Sequence, residues 1–206
     1  MCVSNDIKNI IFSSTSSIYG NVHSGSMTPL REDMIVDPIN PYARSKYMTE
    51  MMLADYKAAY DLDYIALRYF NAAGADPEKT LGYIQEPATH IIPILLKNII
   101  NGNKTYIFGD DYLTPDGTCV RDYTHVQDLA NAHVKALEYL LNNKKGKIDH
   151  SIINLGSGET YGIFDLINIV EEVTSGKIDY EVTKRRPGDP DCLIADIKKA
   201  KKVLGW

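Results

Sequence analysis

Apolar and polar residues alternate along this chain in patterns that predict a strand, a long helix and a second strand near its start. Ile7 to Ser13 predicts the first strand, and the unbroken run Ile10-Ile11-Phe12 suits a strand covered on both faces of a parallel sheet. A helix is predicted from Pro41 to about Tyr60 and a strand from Tyr64 to Phe70. Strand, helix, strand in that order is a βαβ crossover. The C-terminal ends of its strands, near Ser14 and Asn71, are expected to share one crevice where ligands bind.

Further along, helices are predicted over His90 to Ile100, Val126 to Leu141, Ile163 to Val173 and Lys198 to Leu204. Strands are predicted over Lys104 to Phe108, Ser151 to Leu155 and Ile178 to Val182. Gly20 to Pro38 reads as a surface loop and Lys144 to Lys147 as a turn. The first long helix carries two apolar stripes, Met48, Met52, Tyr56, Ala59 and Tyr47, Met51, Ala54, Ala58. Two stripes imply two partners, the sheet and a second subunit. The helix from Val126 has its apolar face at Val126, Leu129, Ala130, His133, Leu137, Leu140 and Leu141, and His133 there reads as a packed residue.

Composition narrows the function classes. With 44% hydrophobic and 24% charged residues the chain is ordinary globular protein. A net charge of −5 leaves no electrostatic footprint for nucleic acid. The basic cluster Lys198, Lys199, Lys201, Lys202 lies on an amphipathic pattern and reads as a solvated face. No apolar run reaches membrane-span length. Cys2, Cys119 and Cys192 have no paired spacing, which points to a reducing, cytoplasmic compartment. The histidines have no Cys or His partner at ligand spacing, so no metal is expected.

The chemistry centres on Ser13 to Lys46. Asn40 suits a helix N-cap and Pro41 the first helical position. Tyr42 and Lys46 then lie four residues apart on one helix face. An ammonium beside a phenol favours the phenolate, which makes a usable general base near neutral pH. With 14 tyrosines and 22 Lys plus Arg, about one such pair is expected by chance. Tyr180 and Lys184 are that second pair, on a strand-like pattern where the spacing does not face both side chains together. Gly156-Ser157-Gly158 between strand and helix imitates a dinucleotide fingerprint, but the last spacing to Gly162 is one residue too long. Arg121 beside Asp122 reads, taken alone, as a surface ion pair.

The segments SSTSSIYG (13–20), NPYARSK (40–46), RYFNAAGA (68–75), DGTCVRDYTHV (116–126) and RRPGD (185–189) together resemble the extended short-chain dehydrogenase/reductase family, in its sugar-nucleotide 4-epimerase branch. The resemblance runs the length of the chain. It implies an α/β fold, a partial doubly wound Rossmann-type parallel sheet with a small α/β substrate-binding region. Residues 1–75 would belong to the NAD-binding domain with its catalytic helix, and 76–206 mainly to the UDP-sugar region, with 110–135 returning to the Rossmann domain.

The implied activity is NAD-dependent inversion of carbon 4 of a UDP-hexose through a 4-keto sugar, interconverting UDP-glucose and UDP-galactose in galactose metabolism. Tyr42, Lys46 and Thr15 are the implied catalytic residues, Thr15 standing where the epimerases usually have serine. Ser13, Tyr42, Lys46 and Tyr69 would bind the cofactor, NAD. Thr15, Asn71, His90, Tyr106, Phe108, Arg121, Arg186, Asp189 and Leu193 would bind the substrate, with His90 at a place where asparagine is common. Leu193 stands where a tyrosine in this family excludes N-acetyl sugars. The complete protein is expected to be a homodimer through the second stripe, Tyr47, Met51, Ala54 and Ala58. Another sugar-nucleotide epimerase, a 4,6-dehydratase and a non-catalytic dinucleotide-sensing protein are the alternatives. Dehydratases place Asp-Glu after the threonine, where this chain has Ser16-Ser17, and sensing relatives commonly lose the tyrosine. The family's first glycine-rich turn and early βα units have no counterpart here, so the chain is expected to be a fragment, and alone to bind NAD poorly and lack activity.

Overall fold

The computed structural model describes residues 3–21, 27–60, 62–143 and 151–206; the turn expected at Lys144 to Lys147 and Cys2 lie outside them. Strand β1 (Asn9–Thr15) starts and ends two residues later than its apolar run suggests. It pairs in parallel with β2 (Asp63–Tyr69), from Asn9 opposite Asp63 to Thr15 opposite Tyr69. β2 also pairs in parallel with β7 (Ile152–Leu155), so it is the central strand.

Side chains alternate across β2 and divide the core in two. Ile65 and Leu67 meet helix α3 (Val126–Asn142) through Leu129, Ala132, Ala136 and Leu140. Tyr64 and Ala66 meet helix α1 (Pro41–Tyr60) through Leu53. The run Ile10-Ile11-Phe12 serves the same two faces: Ile11 joins the α3 side, Ile10 and Phe12 the α1 side. β1 is an edge strand, and these residues are half-buried rather than enclosed.

The faces of α1 differ from expectation. Neither apolar stripe packs on the sheet: Met48, Met51, Met52 and Tyr56 are 42–58% exposed. Tyr47 alone turns inward, against the cluster of Ile18, Tyr19 and Leu30. The buried positions are Ala43, Glu50 and Leu53, with Lys46 and Lys57 half-buried on the same side. A face at spacing 3 and 4 is present, but it is built partly from charges with partners on the strands. Lys46 Nζ donates to the Ser13 carbonyl (2.8 Å), Glu50 pairs with Arg68 (2.6 Å), and Lys57 pairs with Asp63 (3.6 Å). On α3, Ala130, Leu137 and Leu141 are exposed, and Ala132 and Ala136 take the core positions, because alanines let the helix lie close to the strands.

The remaining strands form parallel pairs: β3 (Asn71–Ala73) with β6 (Tyr123–His125), β4 (Thr105–Phe108) with β8 (Tyr180–Thr183), and β5 (Val120–Arg121) with β9 (Cys192–Leu193). Helices α2 (Ile91–Asn101) and α4 (Ile163–Thr174) cover the β4/β8 pair through Leu95, Ile107, Leu166, Ile167 and Val170. Helix α5 (Lys198–Leu204) closes the α3 core with Ala200 and Leu204. Among the described residues no helix is long and apolar enough to cross a membrane.

The loop from Gly20 is anchored rather than loose on the surface. Leu30 is buried, its N–H donates to the Ile194 carbonyl (2.8 Å), and its carbonyl accepts from Asp196 N (2.9 Å). Gly20 opens the loop at φ +58°, where a Cβ would fall 1.9 Å from the Asp37 carbonyl oxygen, so glycine is required there.

The glycine-rich turn after β7 wraps around a carboxylate of its own chain. Asp122, fully buried, accepts from Ser157 N (2.7 Å), Ser157 Oγ (2.9 Å), Gly158 N (3.0 Å) and Ala195 N (3.3 Å). Gly156 permits this approach, since a Cβ there would lie 2.4 Å from Asp122 Oδ2. The turn's resemblance to a phosphate cradle is real at the level of backbone donors, but Asp122 occupies them. Replacing Asp122 with alanine leaves these donors without a partner, and we expect a loss of at least about 2 kcal/mol in urea unfolding. A loss below about 0.5 kcal/mol contradicts this assignment.

Candidate functional site

Asn40 caps α1 through Ala43 N→Oδ1 (2.8 Å), with Pro41 as first helical residue. This start aims Tyr42 outward from the first turn, 52% exposed, and Lys46 inward from the second. Lys46 Nζ lies 5.8 Å from the centroid of the Tyr42 ring and 5.0 Å from that of Phe12. Its bond to the Ser13 carbonyl fixes the helix against the end of β1. Thr15, the last residue of β1, caps the following turn by accepting from Ser17 N (3.2 Å), and its hydroxyl also contacts Ser17 Oγ (3.2 Å). The Ser13 hydroxyl meets His133 Nε2 (3.1 Å), while His133 Nδ1 contacts the Leu129 carbonyl (2.7 Å). His133 is thus half-buried and hydrogen-bonded, a packed residue with polar duties.

Two adjoining cavities open beyond the strand ends. The first, about 390 Å³, is lined by Thr15, Tyr42, Tyr69, Asn71, His90 and Leu193, among others. The second, about 330 Å³, is lined by Tyr106, Phe108 and Arg186. Asn71, Arg121 and Asp189 line both. Every implied substrate residue therefore faces one cavity or the other. Of the implied cofactor residues, Tyr42 and Tyr69 line the first cavity, and Lys46 and Ser13 stand behind it.

Arg121 is the electrostatic centre. Successive residues of a strand point to opposite faces, which sends Arg121 toward the cavities and Asp122 into the glycine-rich turn. They form no surface ion pair. Arg121 is only 8% exposed, and among the described residues its side chain donates to the Val120 carbonyl (2.8 Å). Among the described residues no carboxylate lies within 4.0 Å of its guanidinium. A buried guanidinium without a carboxylate is costly unless an anion completes it.

The motif around Arg121 explains its own rigidity. Asp116 and Thr118 donate no side chain to the cavities; they cap α4 from outside, with Ile163 N→Thr118 Oγ1 (2.7 Å) and Phe164 N→Asp116 Oδ2 (3.2 Å). Gly117, at φ +76°, turns the chain between them. Burial pushes the Tyr123 phenol up to about 12, so it faces the second cavity as a neutral hydroxyl.

Arg185 and Arg186 also diverge. Arg185 bonds to Asp111 (2.7 Å) and lies over Tyr112, whereas Arg186 lies over the Phe108 ring at 3.8 Å. His90 is the N-cap residue of α2 but makes no side-chain cap bond; its Nδ1 is instead 3.4 Å from the hydroxyls of Tyr83 and Thr89. Sequence reasoning missed Ile39, Phe70 and Pro190 in the first cavity and Asn98, Lys104 and Cys119 in the second. They come from loops, strand ends and helix α2, whose convergence no local periodicity reports. It also missed Glu50, although the spacing Tyr42, Lys46, Glu50 continues one helix face. The arrangement joins a phenol and hydroxyl at one end, a buried positive charge in the middle, and an aromatic and aliphatic wall at the other.

Comparison with known proteins places the chain among sugar-nucleotide epimerases in sequence and fold. The chain is 44% identical over 202 residues to a UDP-glucose 4-epimerase of Halalkalibacterium halodurans, covering 98% of the chain and 58% of that relative. The crystal structure of a UDP-glucose 4-epimerase from Brucella ovis in complex with NAD superposes with a TM-score of 0.91 at 42% identity, covering 100% of this chain and 61% of that one. A Bifidobacterium longum UDP-glucose 4-epimerase in complex with NAD+ and UDP matches with a TM-score of 0.88 at 35% identity, over 100% and 60% of the two chains. The chain thus spans about 60% of the length of these relatives, with the Rossmann-type α/β architecture. Residues 1–156 match the family described as NAD dependent epimerase/dehydratase, and the chain belongs to that family.

Proposed function

We propose that the protein inverts carbon 4 of a UDP-hexose, interconverting UDP-glucose and UDP-galactose with NAD as cofactor. The observation that carries this reading is Arg121, a buried guanidinium without a carboxylate partner, on the wall shared by the two cavities. A diphosphate bridging the cavities satisfies it, and a guanidinium matches two phosphate oxygens at once. The sugar then lies in the first cavity beside Tyr42 and Thr15, and the uridine in the second beside Phe108 and Arg186. The relatives' names and bound ligands support the same assignment.

The residues present fit NAD at its nicotinamide end. Lys46 uses one ammonium hydrogen on the Ser13 carbonyl, which leaves two for ribose hydroxyls, and Tyr42 and Tyr69 present rings to the same cavity. When bound, NAD supplies the hydride acceptor and donor for carbon 4. Tyr42 accepts the proton of the 4-hydroxyl and later returns it, Thr15 orients the 4-oxygen, and Arg121 holds the diphosphate while the sugar turns. Ser16 and Ser17 beside Thr15 offer no acid and base for removing water, which favours epimerase over dehydratase.

In the full-length protein, Tyr42→Phe is expected to lower kcat for UDP-galactose by roughly 10²-fold or more with KM little changed. A Phe variant that keeps most of its kcat contradicts the role of Tyr42.

Leu193, smaller than tyrosine, lines the first cavity, and we propose that an N-acetyl group fits there. Matched assays on UDP-glucose and UDP-N-acetylglucosamine are expected to detect turnover of both, with Leu193→Tyr abolishing the second. No turnover of the N-acetyl sugar by the unmodified protein rules this out.

The protein is also proposed to act as a homodimer through the outer face of α1, where Met48, Met51, Met52 and Tyr56 lie exposed together. Tyr47, turned inward, takes no part. A Met51→Lys substitution is expected to shift the molar mass in light scattering from dimer toward monomer; an unchanged dimer mass places the interface elsewhere.

A further inference from the structure

Glu50 is a buried carboxylate that the reaction scheme does not use. It lies on α1 one turn beyond Lys46 and two beyond Tyr42, 3% exposed. Its Oε1 accepts from Ser14 Oγ (2.5 Å) and Arg68 Nε (3.0 Å), and its Oε2 from Arg68 Nη2 (2.6 Å). The third arm of the guanidinium reaches the hydroxyl of Tyr19 (3.1 Å), which donates to Asn154 Oδ1 (2.8 Å). Asn154 in turn bonds to the Leu30 carbonyl (2.8 Å). Burial works against the charge of Arg68, but the bonds to Glu50 and Tyr19 outweigh it, and its pKa is held above the ordinary arginine value.

The geometry points to Glu50 as a positioning residue for Tyr42 and Lys46. Ser13, Ser14 and Thr15 are consecutive at the end of β1. The helix grips two of them directly, Ser13 through Lys46 and Ser14 through Glu50. The same carboxylate reaches β2 through Arg68 and, through Tyr19 and Asn154, β7. Helix α1 is thereby indexed to all three strands of the sheet, two of which, β1 and β2, end at the first cavity with Thr15 and Tyr69. Two directional bonds one helical turn apart fix both the rotation and the axial position of the helix, which apolar packing leaves looser. Stability alone is a poor reason for this arrangement, because apolar residues of similar volume often replace a buried ion pair without loss of stability. Tyr42 is half exposed and, among the described residues, its hydroxyl has no hydrogen-bonded partner to set its place, so the helix must set it.

This inference rests on the proposed epimerase reading, and the experiment separates the two. The full-length protein is compared with Ser14→Ala, with the paired variant Glu50→Leu/Arg68→Met, and with Tyr42→Phe. We expect the paired variant to keep a cooperative thermal unfolding transition and a KM for UDP-galactose within about twofold. Its kcat is expected to fall roughly 10²-fold, as misplacement by about 1 Å can do. Ser14→Ala, which removes one hydroxyl and keeps the ion pair, is expected to fold normally and lose roughly tenfold in kcat by the same displacement. A purely structural role would lower the unfolding temperature and leave kcat per folded molecule unchanged, and that result overturns the proposal. If the paired variant fails to fold, the kcat of Ser14→Ala decides. If the unmodified protein turns over no UDP-galactose, the epimerase reading fails. The crystal structure of Ser14→Ala then decides the positioning: loss of the Lys46–Ser13 bond supports it, and an unmoved α1 overturns it.

Discussion

The docking of α1 on the three-stranded sheet is the constraint on which the first cavity depends, and it is made largely by charge. Lys46, Glu50 and Lys57 face the strands at helical spacing, each meeting a partner on β1 or β2. Leu53 and Ala43 fill the space between them. A helix held this way has one register against the sheet, because each charge meets its partners on the strands only in that register. The arrangement also leaves Met48, Met51, Met52 and Tyr56 exposed on the outer face of α1.

A second constraint lies in the stretch from Asp116 to Tyr123, where nearly every residue has a separate destination. Asp116 and Thr118 cap α4, Gly117 makes the turn, Arg121 enters the cavities, and Asp122 fills the glycine-rich turn. Strand pairing of β5 with β9 locks Val120 and Arg121 beside Cys192 and Leu193. The cavity wall that carries the Arg121 charge is therefore joined to the wall formed by Leu193. One short motif thus ties the two cavities to the N-terminus of α4 and to the turn after β7.

Most helices and strands were legible in sequence to within about two residues, because their apolar periodicity is strong. The helix start at Asn40-Pro41 was legible from capping chemistry alone. Less legible was which face of α1 is inside: Met and Tyr stripes suggested the sheet, but buried charges with strand partners outcompeted them. Burial of Leu30 within a polar loop, and of Arg121 and the following Asp122 in different directions, depends on contacts with residues near 154–158 and 192–196, far away in sequence. Local pattern carries no record of such pairings. The candidate site was readable through its motifs, whereas the bonds that hold it in place became visible only in three dimensions.

The central claim is that the two cavities form one UDP-sugar site organised by Arg121. Isothermal titration of the full-length protein with UDP tests it most directly. We expect one UDP per chain and an affinity reduced by roughly 30-fold or more in Arg121→Gln, because one partner of a buried charged contact is lost. Absence of UDP binding, or equal affinity in an Arg121→Gln variant that folds normally, would contradict it.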